Sequence, residues 1–308
     1  MEFTKKTHYE KLKSTLENEK LPQEDKVRIE DAIKKYNDWI SNIEKIKTSV
    51  KNPDEKLYDL VTIFNDYKYY IEFDLIFLSK NDFLYRQKGQ LKLDNSIIEE
   101  FLPHLIDPSI IKDLKTDNLV VGPNTTFASV YFESNLSDQS PDGGLKIRTK
   151  DQDFSIAKKL YIMTSFDENF TLAKPKITYL SYIAAECKTN LDKTMFQEAS
   201  ATAHDIKSAI PGSKYFLICE WLDMTPISTA PTDIDEVLIL RKAKRIPANR
   251  RKDFDTYKGR LANKEYYSQF LLTNPIYPDA IERFLTHIAK VIHNESLIED
   301  DVLKQGYF

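Results

Sequence analysis

A carboxylate and an amine stand two residues apart in Glu186-Cys187-Lys188, which closes an apolar run that starts at Ile177. In a strand, side chains two residues apart point to the same face, so this carboxylate and this ammonium group would emerge side by side. The chain contains six acid-x-lysine triplets, so the pattern alone is weak. The other five fall in segments whose patterns predict helices or turns. This triplet is therefore the candidate for chemistry, with an exposed salt bridge as the alternative.

Asp153 is the second acid that local structure would bring to this motif. It directly precedes a predicted strand from Phe154 to Ser165, and residues 167–175 would turn the chain back into the strand that ends at Lys188. An antiparallel hairpin of this length predicts that Asp153 lies opposite Lys188. Asp151 is close enough in the chain to compete with Asp153 for the same role.

Two carboxylates and a lysine at one point suit metal-assisted hydrolysis of a phosphodiester bond. Asp153, Glu186 and the carbonyl oxygen of Cys187 would supply hard oxygen ligands for Mg²⁺, with Mn²⁺ as the expected substitute. Lys188 would orient or deprotonate the attacking water and stabilise the negative charge that develops on the phosphate. The motif therefore predicts a catalytic centre made of Asp153, Glu186 and Lys188.

The elements that must position these residues follow Gly122-Pro123, where short runs rich in Val, Ile, Tyr and Phe predict strands. The expected strands are Phe127 to Glu133, Phe154 to Ser165, Ile177 to Lys188, Tyr215 to Trp221 and Val237 to Leu240. Lys193 to Lys207 has one apolar face and predicts a helix between the third and fourth strands. This order predicts an α/β fold with a mixed central β-sheet flanked by helices.

Two polar residues, Gln197 and Glu198, lie near the start of that predicted helix. From there, either side chain could reach the outer shell of a metal bound at the catalytic centre. A solvent-facing pair is the more common outcome at such a position. Both residues are therefore kept as candidates for the outer shell.

The first hundred residues show helical spacing, as in the apolar stripe that begins with Ile29, Ile33 and Tyr36. We therefore expect a helical N-terminal region, residues 1–120, that serves dimerisation, DNA contact or both. Residues 121–308 would form the catalytic domain, with a basic segment at 241–260 and C-terminal helices.

Charge is distributed unevenly along the chain. The formal net charge is −4, yet residues 241–260 contain nine basic and two acidic residues. So many neighbouring cations repel one another unless a polyanion relieves them, which favours phosphate contact over a merely solvated face. A second polar group surrounds Gly89, which predicts a turn. The candidates for contact with double-stranded DNA are Arg86, Lys88, Gln90 and Lys92 around Gly89, and Arg241, Lys244, Arg245, Asn249, Arg250, Arg251 and Lys252 in the basic segment. Either group could read base edges or contact phosphates.

Composition excludes several other classes of protein. Seven glycines in 308 residues argue against a glycine-rich nucleotide-binding enzyme, and two cysteines are too few for a disulfide framework or a cysteine zinc site. No run of 18 apolar residues and no signal-like N-terminus occur in the sequence. A cytoplasmic protein without a membrane segment is therefore expected.

The strand DFSIAKKLYI, the strand YIAAECK and the helix after them resemble the common core of PD-(D/E)XK nucleases. Beyond that core, DFLYRQKGQLKLDNSIIEEFLP and AAECKTNLDKTMFQEASATAHDIK resemble the Bpu-ten-I family of Type II restriction endonucleases. The resemblance runs from about Asn81 to Trp221 and departs from the pattern at Gln152, where the superfamily's name-giving proline would stand. It implies a restriction-endonuclease-like core that cleaves double-stranded DNA at a specific short sequence with Mg²⁺. The family roles of first acid, second acid and lysine carry over to Asp153, Glu186 and Lys188.

The resemblance also implies partners. Each site of this kind cuts one strand, so a double-strand break needs two of them. We therefore expect a homodimer or a heterodimer with a related subunit, together with a cognate DNA methyltransferase of the same restriction-modification system. Two alternatives stay open: a repair or recombination nuclease of the same fold, and a non-catalytic DNA-binding partner subunit.

Overall fold

A six-stranded mixed sheet forms the centre of the structure, a computed structural model that describes residues 1–137 and 140–293. Strands β1 to β6 span Glu2–Phe3, Leu119–Phe132, Leu145–Ile162, Lys176–Leu191, Lys214–Leu222 and Glu236–Ile239. They lie side by side in chain order. β2, β3 and β4 pair antiparallel, whereas β1 joins β2, β5 joins β4 and β6 joins β5 in parallel. The predicted mixed sheet is confirmed.

Helices cover this sheet and precede it. Helices α1 to α5 span Thr7–Leu16, Gln23–Thr48, Pro53–Tyr69, Phe83–Leu91 and Ser96–His104, and a π-helix at Tyr70–Phe77 continues α3. Helix α6 spans Lys193–Ala209, and α7 to α10 span Ala248–Arg251, Tyr257–Ala262, Lys264–Thr273 and Pro278–Ile292. A short 3₁₀ helix, Lys252–Phe254, follows α7. Within residues 1–137 and 140–293, no helix is both long and apolar enough to cross a membrane.

Capping residues explain where two of these helices begin. Asn52 and Glu55 form a reciprocal capping box at the start of α3, in which the Glu55 amide donates to the Asn52 side chain at 2.9 Å. The Asp192 side chain accepts a hydrogen bond from the Met195 amide at 2.9 Å and starts α6 directly after β4. The predicted helix from Lys193 is therefore confirmed, and its cap sets where the chain leaves β4.

Two hydrophobic cores hold the layers together. The larger core contains side chains from the N-terminal helices, from the sheet and from α10, for example Phe101, Phe154 and Phe284. The smaller core lies between the sheet and α6 and includes Ala184 and Ala203. The larger core uses residues from both sides of position 120, and the division of the chain there stays a prediction. Residues 294–308 of the predicted catalytic domain lie outside the described residues.

Several element bounds differ from the expectation; β2, for example, begins at Leu119 instead of Phe127. Strand β3 begins at Leu145 instead of Phe154, because its polar first half pairs with β2 across an exposed hairpin that shows no apolar run. Gly89 lies inside α4 and does not form a turn. The helix continues to Leu91, and the next residue, Lys92, ends it with a left-handed φ of 52°. The turn predicted at Gly89 is thus wrong, since a single glycine is tolerated within a helix.

Candidate active site

Glu186 and Lys188 lie on one face of β4, as the two-residue period predicts. Cys187 between them belongs to the larger core on the opposite face. The Lys188 Nζ is 3.4 Å from the Glu186 Oε2, and the two side chains are 33% and 15% exposed. The motif does not end its strand, because β4 continues to Leu191. The pair is therefore held by neighbouring strands and is not a loose salt bridge where a strand reaches water.

Asp153 contacts the motif through the backbone of Cys187. The Cys187 amide donates a hydrogen bond to the Asp153 Oδ2 at 2.9 Å. Phe154 pairs with Ala185 in the antiparallel register. Asp153, one residue earlier, is therefore level with Glu186 and not with Lys188 as predicted. The predicted register is wrong because it depends on the centre of the turn and on a bulge at Ile156, neither of which residue spacing determines.

Asp151, the competing first acid, is placed differently. Its side chain is exposed, and the residue pairs with Thr125 across the β2–β3 hairpin. Gln152 between the two acids is buried, and its Nε2 donates to the carbonyl oxygen of Asp151 at 2.7 Å. Of the two acids, Asp153 is thus the one whose side chain contacts the Glu186-Cys187-Lys188 segment.

The electrostatics of Lys188 follow from these contacts. Burial by itself would lower the pKa of Lys188, but the charges of Glu186 and Asp153 outweigh it, and the pKa of the amine is raised above its usual value. The side chain therefore stays an ammonium ion near neutral pH in this state. A cation at this position balances part of the negative charge of the two carboxylates.

Asn95 and Glu99 also belong to this site, although sequence reasoning did not single them out. Both are buried at the start of α5, and the Asn95 Nδ2 donates to the Glu99 Oε1 at 2.9 Å and to the Cys187 carbonyl oxygen at 3.0 Å. Burial, together with the nearby charge of Asp153, raises the pKa of Glu99 to about 7. The pair lies about ninety residues from the motif in the chain, so no local signal could have found it.

The donor chemistry fits a hard cation. Asp153 and Glu186 supply carboxylate oxygens, and the Cys187 carbonyl oxygen can accept a second partner beside Asn95 because it has two lone pairs. Among the described residues, no group of three or more His, Cys, Asp or Glu side chains is arranged for a metal ion. Asp153, Glu186 and the Cys187 carbonyl oxygen therefore stay the predicted ligands of Mg²⁺.

Gln197 and Glu198 are exposed on α6 and make no side-chain hydrogen bond or ion pair with another described residue. Their predicted role in the outer shell of a metal stays a prediction. The structure brings together Asp153, Glu186 and Lys188, and leaves these two side chains in solvent.

The first predicted DNA-contacting group lies on α4. Arg86, Gln90 and Lys92 are exposed, and Arg86 donates to the Asp255 carbonyl oxygen at 3.2 Å, which joins α4 to the basic segment. The Lys88 Nζ lies over the Tyr85 ring at 4.4 Å from its centroid. This helix therefore displays its polar side chains beside residues 241–260.

The basic segment is less cationic than its composition suggests. Arg241 is buried and pairs with Glu220 at 2.6 Å and with Glu72 at 3.2 Å. Its guanidinium group cannot reach a DNA backbone, so its prediction as a DNA contact is wrong. Arg260 is also fully buried and pairs with Asp82 at 3.0 Å. Both arginines hold the fold together because a buried cation is stable only when it is paired.

The other predicted DNA contacts in the basic segment are partly or fully exposed. Lys244, Asn249, Arg250 and Lys252 are exposed, whereas Arg245 and Arg251 are partly buried. Asp223 lies 3.1 Å from Arg245 and 4.0 Å from Arg251 and offsets part of their charge. These residues stay predicted DNA contacts.

The fold is that of a restriction endonuclease. A solved structure described as the native BbvCI A2B2 tetramer at low resolution matches with a TM-score of 0.52 and 19% identity, over 88% of this chain and 98% of that chain. Residues 90–308 match the family described as Bpu10I restriction endonuclease. The chain therefore belongs to the Bpu10I restriction endonuclease family, a family of Type II enzymes, and the resemblance noted in the sequence is confirmed. No curated protein matches the chain.

Proposed function

We propose that this chain is a catalytic subunit of a Type II restriction endonuclease, which hydrolyses one phosphodiester bond of double-stranded DNA at a specific short sequence. The observation that carries the proposal is the meeting of Asp153, Glu186 and Lys188 on one face of two paired strands. A subunit that only binds DNA has no chemical need for two acids and an ammonium group at one point. The family membership supplies the reaction class, and the geometry supports catalysis by this chain.

In this proposal, Asp153, Glu186 and the Cys187 carbonyl oxygen hold Mg²⁺. The ion would neutralise charge on the scissile phosphate and acidify a water molecule. Lys188 orients that water and stabilises the charge that develops on the phosphate oxygens. The Asn95 amide holds the Cys187 carbonyl group in place through a hydrogen bond of 3.0 Å.

Digestion of a plasmid of known sequence with the purified protein and Mg²⁺ tests the proposal. Discrete fragments are expected with Mg²⁺ or Mn²⁺. Ca²⁺ should support binding without cleavage, because its longer bonds and looser geometry do not align the water. A smear would favour a repair or recombination nuclease of the same fold. Intact DNA that still shifts in a gel would favour a non-catalytic partner subunit, and cleavage in EDTA would exclude a metal mechanism.

A double-strand break requires a second active site in this proposal. That site comes from another copy of this chain or from a related subunit, and the BbvCI structure, an A2B2 tetramer, shows that a protein of this fold assembles from two kinds of chain. A heterodimer predicts that this chain alone produces nicked plasmid. A homodimer predicts linear plasmid. A DNA methyltransferase that modifies the same sequence would protect the DNA of a host in whose cytoplasm the enzyme acts.

A further inference from the structure

A cavity of about 360 Å³ opens between α4, the end of β4 and the basic segment. Cys187 and Lys188 line it, so it lies directly beside the candidate active site. A volume near 300 Å³ is at the lower end of the range for small-molecule sites. The cavity therefore suits an occupant about the size of one nucleotide.

The walls combine apolar rings with cations. Five aromatic residues line the cavity: Tyr85, Trp221, Phe254, Tyr267 and Phe270.

The cations that line the same cavity are Lys88, Lys92, Lys188, Arg245 and Arg251, against two acids, Glu72 and Asp94. Glu72 is already neutralised by the buried Arg241 at 3.2 Å. A flat aromatic group that carries a phosphate matches such a lining, because the rings contact its faces and edges and the cations contact its charge.

Lys88 and Asn95 each leave one polar group without a partner in this cavity. Among the described residues, the Lys88 Nζ has no hydrogen-bond or ion-pair partner, and it lies 4.4 Å from the centroid of the Tyr85 ring. Burial lowers the pKa of this amine. The charges of Asp94 and Glu72 oppose this effect without forming an ion pair with the amine, so an anion beside Lys88 would further stabilise its charged form.

The amide of Asn95 offers a hydrogen bond to a base. Its Nδ2 donates to two acceptors, Glu99 and the Cys187 carbonyl oxygen, and this fixes the orientation of the amide. The Asn95 Oδ1 is then a buried acceptor with no partner among the described residues. A buried acceptor of this kind is stabilised by an N–H donor, and each of the four DNA bases carries one on its Watson–Crick edge.

We propose that this cavity receives one nucleotide, rotated out of the DNA duplex next to the scissile phosphate, whose base donates an N–H hydrogen bond to the Asn95 Oδ1. The inference rests on the proposed cleavage of DNA by this chain. Rotating a base out of a duplex breaks its stacking and pairing, and contacts in a pocket that receives the base offset this loss.

Gly89 provides the variant that tests this inference. It lines the cavity, and a Cβ atom added there meets no atom within 4 Å, so a larger side chain can enter the cavity without a backbone clash. Gly89→Phe should fill the cavity, whereas Gly89→Ala changes the same position and leaves the space open. Lys88→Met removes the unpaired charge at similar length. Circular dichroism and thermal unfolding of each variant establish that it is folded.

The site is first mapped by plasmid digestion, and duplexes of that sequence are then made with 2-aminopurine at each position in turn. In Ca²⁺, wild-type protein should change the 2-aminopurine fluorescence at one or two positions beside the cut and leave the other positions unchanged. The change should disappear in Gly89→Phe, persist in Gly89→Ala and weaken in Lys88→Met.

If the 2-aminopurine fluorescence changes equally at all positions while the protein still cuts at discrete sites, the nucleotide-pocket proposal is wrong. The cleavage proposal is unaffected by that result. Loss of affinity in Lys88→Met without any position-specific change in fluorescence would mean that the cavity holds backbone phosphate, which also contradicts the nucleotide-pocket proposal.

If the protein cuts at no discrete position, the cleavage proposal fails. The pocket is then judged with 2-aminopurine deoxyribonucleoside 5′-monophosphate as the probe. A saturable change in its fluorescence that Gly89→Phe abolishes supports a nucleotide pocket, and no change, or an equal change in both proteins, overturns it.

Discussion

At the scale of single residues, chemistry depends on side chains that the sheet holds a few ångströms apart. The contacts are the 3.4 Å separation of Lys188 and Glu186 and the 2.9 Å hydrogen bond from the Cys187 amide to Asp153. Each of these side chains projects from a paired strand, so its position is fixed before substrate binds. Preorganised groups of this kind stabilise charge that develops in a transition state without further rearrangement.

Lys188→Met should lower the rate of DNA cleavage by about 10²- to 10⁴-fold, because a proton donor or acceptor and a cation leave the site. Affinity for DNA measured in Ca²⁺ should change little, since one cation among many is removed. Rates come from single-turnover cleavage of a plasmid.

Asp151→Ala is the matched control for the acids, because Asp151 is exposed and two residues from Asp153. It should cleave at the wild-type rate, whereas Asp153→Ala should lose activity as Lys188→Met does. Full activity in Asp153→Ala together with loss in Asp151→Ala would move the first acid to Asp151.

At the scale of elements, the way α1 and α5 pack determines how stability depends on pH. His8 of α1 is fully buried, and its ring nitrogens lie 2.9 Å from the Ser96 hydroxyl of α5 and 2.9 Å from the Tyr67 hydroxyl of α3. Burial, with a further contribution from the charge of Lys68, lowers the pKa of His8 to about 3. The neutral ring is thus part of the packing of three helices.

The unfolded chain therefore binds a proton at His8 below its unfolded pKa of about 6.5, whereas the folded protein does not until about 3. Neutral His8 makes its full contribution to the free energy of unfolding above about pH 6.5. Below that pH the contribution falls by up to about 1.4 kcal/mol per pH unit. His8→Gln should unfold more easily at pH 7 but lose less stability between pH 7 and pH 5. Urea unfolding at the two pH values measures the difference, with the exposed His204→Gln as the control. An equal loss in His8→Gln and wild-type protein would contradict the assignment.

Helix α4 gives a second prediction for an element, because Gly89 lies within it and has open space at the Cβ position. Gly89→Ala should stabilise the protein by about 0.5 to 1 kcal/mol, since alanine loses less backbone entropy in a helix than glycine does. The midpoint of urea unfolding measures the change. A lower midpoint would mean that residue 89 needs the turn geometry that the sequence suggested.

Helix α4 and the basic segment should also contribute differently to DNA binding. Arg250 is exposed in a cluster of cations, so Arg250→Ala should weaken binding to cognate and scrambled duplexes alike and lower the salt slope by roughly 0.9. Arg86→Ala should reduce cognate affinity by about 1 to 3 kcal/mol and change scrambled binding little. Competition binding at two salt concentrations separates these outcomes, and the reverse pattern would assign base reading to the basic segment.

At the scale of the whole molecule, a buried group of charges joins the N-terminal helices to the sheet. Lys68 lies 2.9 Å from Glu220 of β5 and also pairs with Glu72, and Arg241 contacts both acids. Lys68 further donates to the Asp94 carbonyl oxygen at 2.9 Å, immediately before Asn95. The same buried cluster thus connects the predicted N-terminal region, the sheet and the candidate active site.

Glu220→Ala should therefore destabilise the whole protein by about 3 to 5 kcal/mol, because two buried cations, Lys68 and Arg241, then share the single acid Glu72. Glu265→Ala, a substitution of an exposed helical glutamate, should change stability by less than about 0.5 kcal/mol. Fluorescence and circular dichroism should report one shared unfolding transition in the wild-type protein. Two separate transitions would show that the helical region and the sheet unfold independently.

The sequence by itself determined the local features of this protein. Alternation along β4 placed Glu186 and Lys188 on one face, the Asp192 cap marked the start of α6, and the order of strands and helices predicted the mixed sheet. These features depend on neighbours in the chain, because strand periodicity and capping act over a few residues. The core and its two acids were therefore within reach of pattern and resemblance.

Only the tertiary structure decided which distant residues meet these side chains. A bulge shifts the strand register and places Asp153 beside Glu186. Packing of α5 brings Asn95 and Glu99 to Cys187. Arg241, a predicted DNA contact, is instead a buried partner of Glu220. A contact between residues far apart in the chain results from packing of whole elements. A buried arginine and an exposed one have the same local pattern, and only the surroundings that burial supplies distinguish them.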